Sequence, residues 1–337
     1  MSIFGRLKSI KKAISFHTPG HAGRLNALDS TEIPSVFPED EVERAEKEVA
    51  CHYECRWLRF LVNGSSIGVK SMIMAVGGDI MAPRDRHPAV DEGATLARVN
   101  LFTVENEIKD DLPQPITAEQ IEKTKKANPT VKAVVVQSPD YYGQVADLPK
   151  IRAACDKLGL YMLVDGAHGA HFSTLLSGEF PVSSSVIADA TNMSAHKTLR
   201  AYTQSAYLAI NHPGLLPKID ESLKLLGTTS PSYILMGQLE EAVKFERKYA
   251  YGYYALIDEI KRIKEEIPYL QNDDPMRLVV DAKGMGKTGE ELYSKLAFRG
   301  VHAEKYDDRY VVFIITLSNT VKELRKLRKE LILCKAD

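Results

Sequence analysis

Between residues 57 and 210, short apolar runs alternate with longer amphipathic stretches, and this rhythm constrains the fold more than any other feature of the sequence. The runs are Trp57–Val62, Ile80–Ala82, Val99–Thr103, Ala133–Gln137, Tyr161–Val164, Val186–Ala188 and Ser205–Ile210. Between most of them lie helix patterns: Ile67–Val76, Ala89–Ala97, Ala118–Ala127 and Leu148–Leu158. Strands separated by such helices need both faces covered, so the spacing predicts right-handed crossovers and a mostly parallel, seven-stranded sheet in an α/β domain. From about Pro231 the pattern changes to one long helical stretch reaching Ile263. Strand Arg277–Asp281, helix Glu290–Phe298, strand Tyr310–Ile315 and helix Val321–Leu331 follow. Residues 1–235 are therefore expected to form a large domain, with an N-terminal segment over 1–37, and residues 236–337 a small α+β domain.

Composition removes several classes of function. With 337 residues and 44% hydrophobic content, the chain can build two cores and is not disordered. Its 44 basic and 45 acidic residues are spread along the chain, which favours neither nucleic acid nor an anionic membrane as partner. The basic start lacks the apolar stretch of a signal peptide, and no later run reaches the ~18 apolar residues of a membrane span, so a cytosolic protein is expected. Four unevenly spaced cysteines make no disulfide framework. Cys51-His-Tyr-Glu-Cys55 has no second ligand pair, and no metal is expected.

In open α/β sheets ligands bind beyond the carboxyl ends of the strands. After Trp57–Val62, the sequence Asn63-Gly-Ser-Ser-Ile-Gly68 opens a helix; Gly64 with Ser65 and Ser66 reads as a phosphate cup, although such a sequence is more often a turn and an N-cap. After Ile80–Ala82, His87 is placed to lie against a planar ring. Ser138-Pro-Asp-Tyr-Tyr-Gly143 offers aromatic and polar groups after the next run. Asp165 ends Tyr161–Val164, and Lys197 follows in Asn192-Met-Ser-Ala-His-Lys-Thr198. A carboxylate at a strand end and a lysine among small hydroxyl residues suit pyridoxal phosphate: the amine forms the Schiff base and the carboxylate keeps the ring nitrogen protonated.

These residues resemble those of the bacterial ornithine/lysine/arginine decarboxylases, pyridoxal-phosphate enzymes of fold type I. The matching stretches are Phe16–His21, Asp29–Glu32, Phe60–Gly68, Arg84–His87, Ser138–Gly143, Val164–Phe172, Ser194–Thr198 and Thr228–Tyr233, in family order, with a weaker match at Thr288–Glu304. The resemblance implies that Lys197 is the Schiff-base lysine and Asp165 the partner of the ring nitrogen. It places His87 and Ala167 on the two ring faces, and gives the phosphate to Gly64, Ser65, Ser66, Ser194 and His196. It puts Thr229 and Ser230 near a partner subunit's active site in a homodimer, and Glu304 near the substrate's side-chain end.

Two departures stand out. Gly166 replaces the glutamate usual in the family's Asp-Glu-Ala-His motif and is expected to loosen the loop after the strand. The sequence has no counterpart of the receiver-like N-terminal domain or the extra C-terminal domain of the large members, so it reads as a short form. The expected reaction is α-decarboxylation of an amino acid, with a basic one implied by the resemblance. The same apparatus also runs aminotransferases, lyases and aldolases, because reaction choice depends on which Cα bond stands perpendicular to the ring, and a non-catalytic descendant is a further alternative. Gly284-Met-Gly-Lys-Thr288 is not a phosphate-binding loop, since Asp281 stands where its first glycine is needed. Thr288 with Glu291 reads as a capping box.

Overall fold

Alternation of apolar side chains builds the centre of the molecule. In the strand Ala133–Gln137, Ala133 and Val135 face a core shared with helices Ser65–Val76 and Pro88–Ala97. Val134 and Val136 face the opposite core, shared with helices Ala118–Ala127 and Leu148–Leu158. Both faces of the sheet are thus covered, as parallel strands require. The computed structural model describes residues 2–11, 13–33, 35–38, 40–173 and 178–336.

Seven strands form the large sheet, in the order Trp57–Leu61, Ala206–Ile210, Ala190–Met193, Tyr161–Asp165, Ala133–Gln137, Ile80–Pro83 and Leu101–Val104. Ala206–Ile210 runs against its two neighbours, and the other pairings are parallel. One expected strand differs. Val186–Ala188 is no strand; a 3-10 turn covers Ser184–Val186, and the sheet instead takes Ala190–Met193. That strand holds two fully buried polar residues, Thr191 and Asn192, so apolar content did not mark it. Thr191 is accommodated because its hydroxyl donates to the Val164 carbonyl (3.2 Å) and contacts the Ser184 hydroxyl (2.8 Å).

The stretch read as one long helix is two, Tyr233–Tyr249 and Gly252–Glu266. The first packs Tyr233, Met236, Leu239, Ala242 and Val243 into a core with Tyr53 and Tyr207 on the large-sheet side. A second core starts at Ala250 and joins Gly252–Glu266, Gly289–Phe298 and Val321–Ala336 to an antiparallel sheet ordered Arg277–Asp281, Tyr310–Ile314, Lys305–Tyr306. Thr288 and Glu291 make the expected capping box at the start of Gly289–Phe298. Among the described residues no helix is long and apolar enough to cross a membrane.

Candidate active site

Parallel pairing of Tyr161–Asp165 with Ala190–Met193 sets Asp165 opposite Asn192, so both strands release polar residues at one sheet edge. Asp165 is 7% exposed, and its Oδ1 accepts from the Ala167 N–H (3.3 Å) and the Asn192 side-chain amide (3.4 Å). The chain leaving the second strand turns through Ser194, whose N–H donates to the Ala167 carbonyl, into the short helix Ala195–Thr198 that carries Lys197. Asp165, Ala167, Ser194 and Lys197 are therefore brought together by strand register and one loop contact.

Lys197 Nζ lies 3.1 Å from His168 Nε2 and 5.7 Å from the centre of the Tyr141 ring. Burial lowers the lysine below its ordinary range, against the pull of Asp165 and Glu304 and with the help of Arg277. His168 is 3% exposed and its ring packs 4.3 Å from that of Tyr141. Burial pushes it well below the ordinary histidine value, reinforced by Arg277 and then Lys197. Arg277, the first residue of its strand, is fully buried. Its Nη1 donates to the Tyr141 carbonyl (3.2 Å) and approaches His168 Nδ1 at 3.5 Å; Nη2 lies 3.7 Å from Asp274 Oδ2, an ion pair longer than a hydrogen bond. Gly143 makes room for this arginine: it holds φ +83°, and a Cβ there would lie 2.9 Å from Arg277 Cβ.

His168 and Arg277 were not among the expected site residues, and Tyr141 was expected only as part of the Ser138–Gly143 turn. His168 and Tyr141 lie within stretches that carry the resemblance. Arg277 had no sequence signal, because a charge at the edge of an apolar run ordinarily reads as solvated.

A second cluster lies at the start of Ser65–Val76. Gly64 takes φ +82° as N-cap, no side chain caps that helix, and nothing lies within 4 Å of where a Gly64 Cβ would stand. The first N–H groups of this helix, with Ser65 and Ser66, are the groups expected to cradle an anion. Ser194 Oγ, Thr198 Oγ1 and Ser205 Oγ are buried without hydrogen-bond partners. His196 Nδ1 is 3.1 Å from the Ser205 carbonyl. Orphaned hydroxyls beside a lysine of lowered basicity and a strand-end carboxylate fit the donor set that a phosphorylated pyridine aldehyde requires.

The remaining expected residues stand at the rim. His87 caps the helix Pro88–Ala97 by accepting from the Ala89 N–H at Nδ1 (3.1 Å). It borders an open cavity of about 930 Å³ with Gln137, Tyr141, Tyr142 and Lys305. Tyr141 lines this cavity and also lies beside Lys197. Glu304 is exposed and accepts from the Tyr141 hydroxyl at 3.2 Å. Thr229 and Ser230 are exposed in a segment tied to the cradle through Thr228 N–H and Asn63 Oδ1 (3.2 Å). The Gly166 N–H donates to the Asn192 carbonyl (2.9 Å), and a Cβ would sit 3.0 Å from Ser184 Oγ and 3.2 Å from Thr191 Oγ1. The buried polar pair that holds Ala190–Met193 in the sheet takes up the space a larger side chain would need.

A sequence profile described as Orn/Lys/Arg decarboxylase, major domain, matches residues 25–272. The chain is 28% identical over 361 residues to the uncharacterized protein YaaO of Bacillus subtilis, covering 94% of this chain and 73% of that protein. It is likewise 28% identical over 364 residues to an arginine decarboxylase of Halalkalibacterium halodurans, with 94% and 73% covered. In fold it is similar to the constitutive lysine decarboxylase of E. coli, with a TM-score of 0.79 at 18% identity. That match covers 99% of this chain but only 60% of the solved chain. The architecture is that of fold type I.

Proposed function

This chain belongs to the Orn/Lys/Arg decarboxylase family, and from that membership we propose that it is a pyridoxal-phosphate-dependent decarboxylase of a basic amino acid, releasing carbon dioxide and an amine. The observation that carries the reading is the convergence of Lys197, of lowered basicity, with buried Asp165 and the unpartnered hydroxyls of Ser194 and Thr198. When bound, the cofactor supplies an electron sink for the pair left at Cα as the carboxylate departs. The chain supplies the rest. Lys197 would hold the cofactor's aldehyde carbon and be the amine that a substrate amine displaces. Asp165 would hold a proton on the ring nitrogen; a charge pair about 3 to 4 Å apart contributes about 4 kcal/mol at an effective dielectric near 20, less the cost of desolvation. By the family resemblance, His87 and Ala167 would cover the two ring faces. Gly64, Ser65, Ser66, Ser194 and His196 would hold the phosphate.

Substrate class is supported by Glu304. One of its carboxylate oxygens accepts from Tyr141, and its exposed carboxylate suits a cationic side-chain end. The protein acts as a homodimer in this reading. Exposed Thr229 and Ser230, next to the cradle, suit a boundary where each subunit reaches its partner's site, and an obligate interface of this kind exceeds about 2,000 Å². The experiment is incubation of protein and cofactor with amino acids carrying ¹³C in the carboxylate. Labelled carbon dioxide and the matching amine from ornithine, lysine or arginine support the reading; a keto acid instead assigns an aminotransferase.

A further inference from the structure

Three groups in the site share protons in a way that closes only once. Arg277 Nη1 is 3.5 Å from His168 Nδ1, and His168 Nε2 is 3.1 Å from Lys197 Nζ. A guanidinium has donors and no acceptor, so Nδ1 of the imidazole is the acceptor. A neutral ring with a bare Nδ1 carries its proton on Nε2, and that N–H points to Lys197. An ammonium has no lone pair to receive it; a free amine does. A doubly protonated ring would turn an N–H toward the guanidinium and bury a second cation beside it at a position only 3% exposed.

We infer that Arg277 is a positioning residue: acting through His168, it fixes the ring tautomer and holds Lys197 as the free amine that captures the cofactor's aldehyde. This rests on the reading of Lys197 given above. The capture needs no further reagent. The Nζ lone pair forms a bond to the aldehyde carbon, and the amine's two protons leave with the carbonyl oxygen as water.

The surrounding charges are consistent with this balance. Facing Lys197, Asp165 from the neighbouring strand end and Glu304 from the smaller sheet's side favour the ammonium; burial, with Arg277, outweighs them. Facing His168, Arg277, Lys197, His171 and His196 all act in the same direction as burial. Around Arg277 burial is opposed by Asp274 and Asp140, and guanidinium basicity is high enough that the group stays charged. The arginine's place is built rather than incidental. Asn272 donates to the carbonyls of Tyr142 (2.6 Å) and Arg277 (3.1 Å), fastening the start of its strand to the Ser138–Gly143 turn. The reactivity of Lys197 thus depends on how the smaller sheet docks on the larger one.

The test has two arms on cofactor-free full-length protein. Nitrogen-15 NMR of histidine-labelled wild type, with His168 assigned by its absence in His168→Gln, is expected to show the Nε2–H tautomer at pH 7–8. Cofactor rebinding, followed by absorbance near 420 nm across pH, is expected to slow about tenfold at pH 7 in Arg277→Leu, the inflection moving up by about one pH unit. Arg277→Lys keeps a donor and a charge, and stays within about threefold of wild type. A protonated Nδ1 in the wild type, or an Arg277→Leu profile that superimposes on wild type, overturns the inference. If Arg277→Leu does not fold, the wild-type tautomer decides alone. Failure of the wild type to form any adduct at Lys197 would instead remove the underlying site assignment.

Discussion

Asp165, His168, Asn192, Ser194 and Arg277, on the floor of the site, are all 7% exposed or less, whereas His87, Thr229, Ser230 and Glu304 at the rim are exposed. Floor residues owe their positions to strand register and to one another, and a polar atom there has no water to replace a lost partner. Rim residues have solvent on one side, so loss of one contact is cheap. Chemistry is therefore expected to fail at the floor, and substrate preference to change at the rim.

The sharpest break in that comparison is Lys197→Ala, for which kcat should fall at least ~1,000-fold, about 4 kcal/mol of barrier, in a steady-state assay of amine release. Asp165→Asn comes next. It should still bind cofactor by absorbance but lose more than about tenfold in kcat, because an amide cannot hold the ring nitrogen protonated; a smaller loss would remove Asp165 from that role.

A buried acid outside the site serves as control. Glu246 is 3% exposed, its Oε2 accepts from the Tyr253 hydroxyl at 2.9 Å, and Oε1 has no partner. Burial raises its pKa to about 7. Below the ordinary carboxyl value of about 4.3 the acid is protonated in both folded and unfolded chains. As pH rises from there to 7 the unfolded chain gives up a proton that the folded one keeps, so stability falls. Glu246→Gln should therefore raise stability at pH 8 by about 2 kcal/mol in urea melts and change it little at pH 4. An equal gain at both pH values would contradict the assignment.

At the rim, Glu304→Ala should raise KM for a basic amino acid by about three- to tenfold, with kcat nearly unchanged. If it depressed kcat as far as Asp165→Asn does, the division between floor and rim would not hold.

Much of this was legible in the sequence. Six of the seven expected strands stand close to where their apolar runs lie, because a doubly covered parallel sheet demands such runs. The seventh escaped because polar Thr191 and Asn192 occupy a sheet centre: Thr191 is satisfied by partners that only the fold brings to it, and Asn192 Oδ1 is buried without one. Asp165 and Lys197 stand next to strand ends, where their motifs placed them. Arg277 was not legible, since its meaning arises from contacts to residues more than a hundred positions earlier, a proximity that only the docking of the two sheets creates. The close packing around Gly166 was not legible for a related reason: Ser184 and Thr191 reach it only through the tertiary fold.

The most direct measurement is borohydride reduction of the protein incubated with pyridoxal phosphate, followed by digestion and mass mapping of the pyridoxyl group. The account predicts the reduced cofactor on Lys197, with no such label in Lys197→Ala. A label on a different lysine in the wild type, or one that persists in Lys197→Ala, would contradict it.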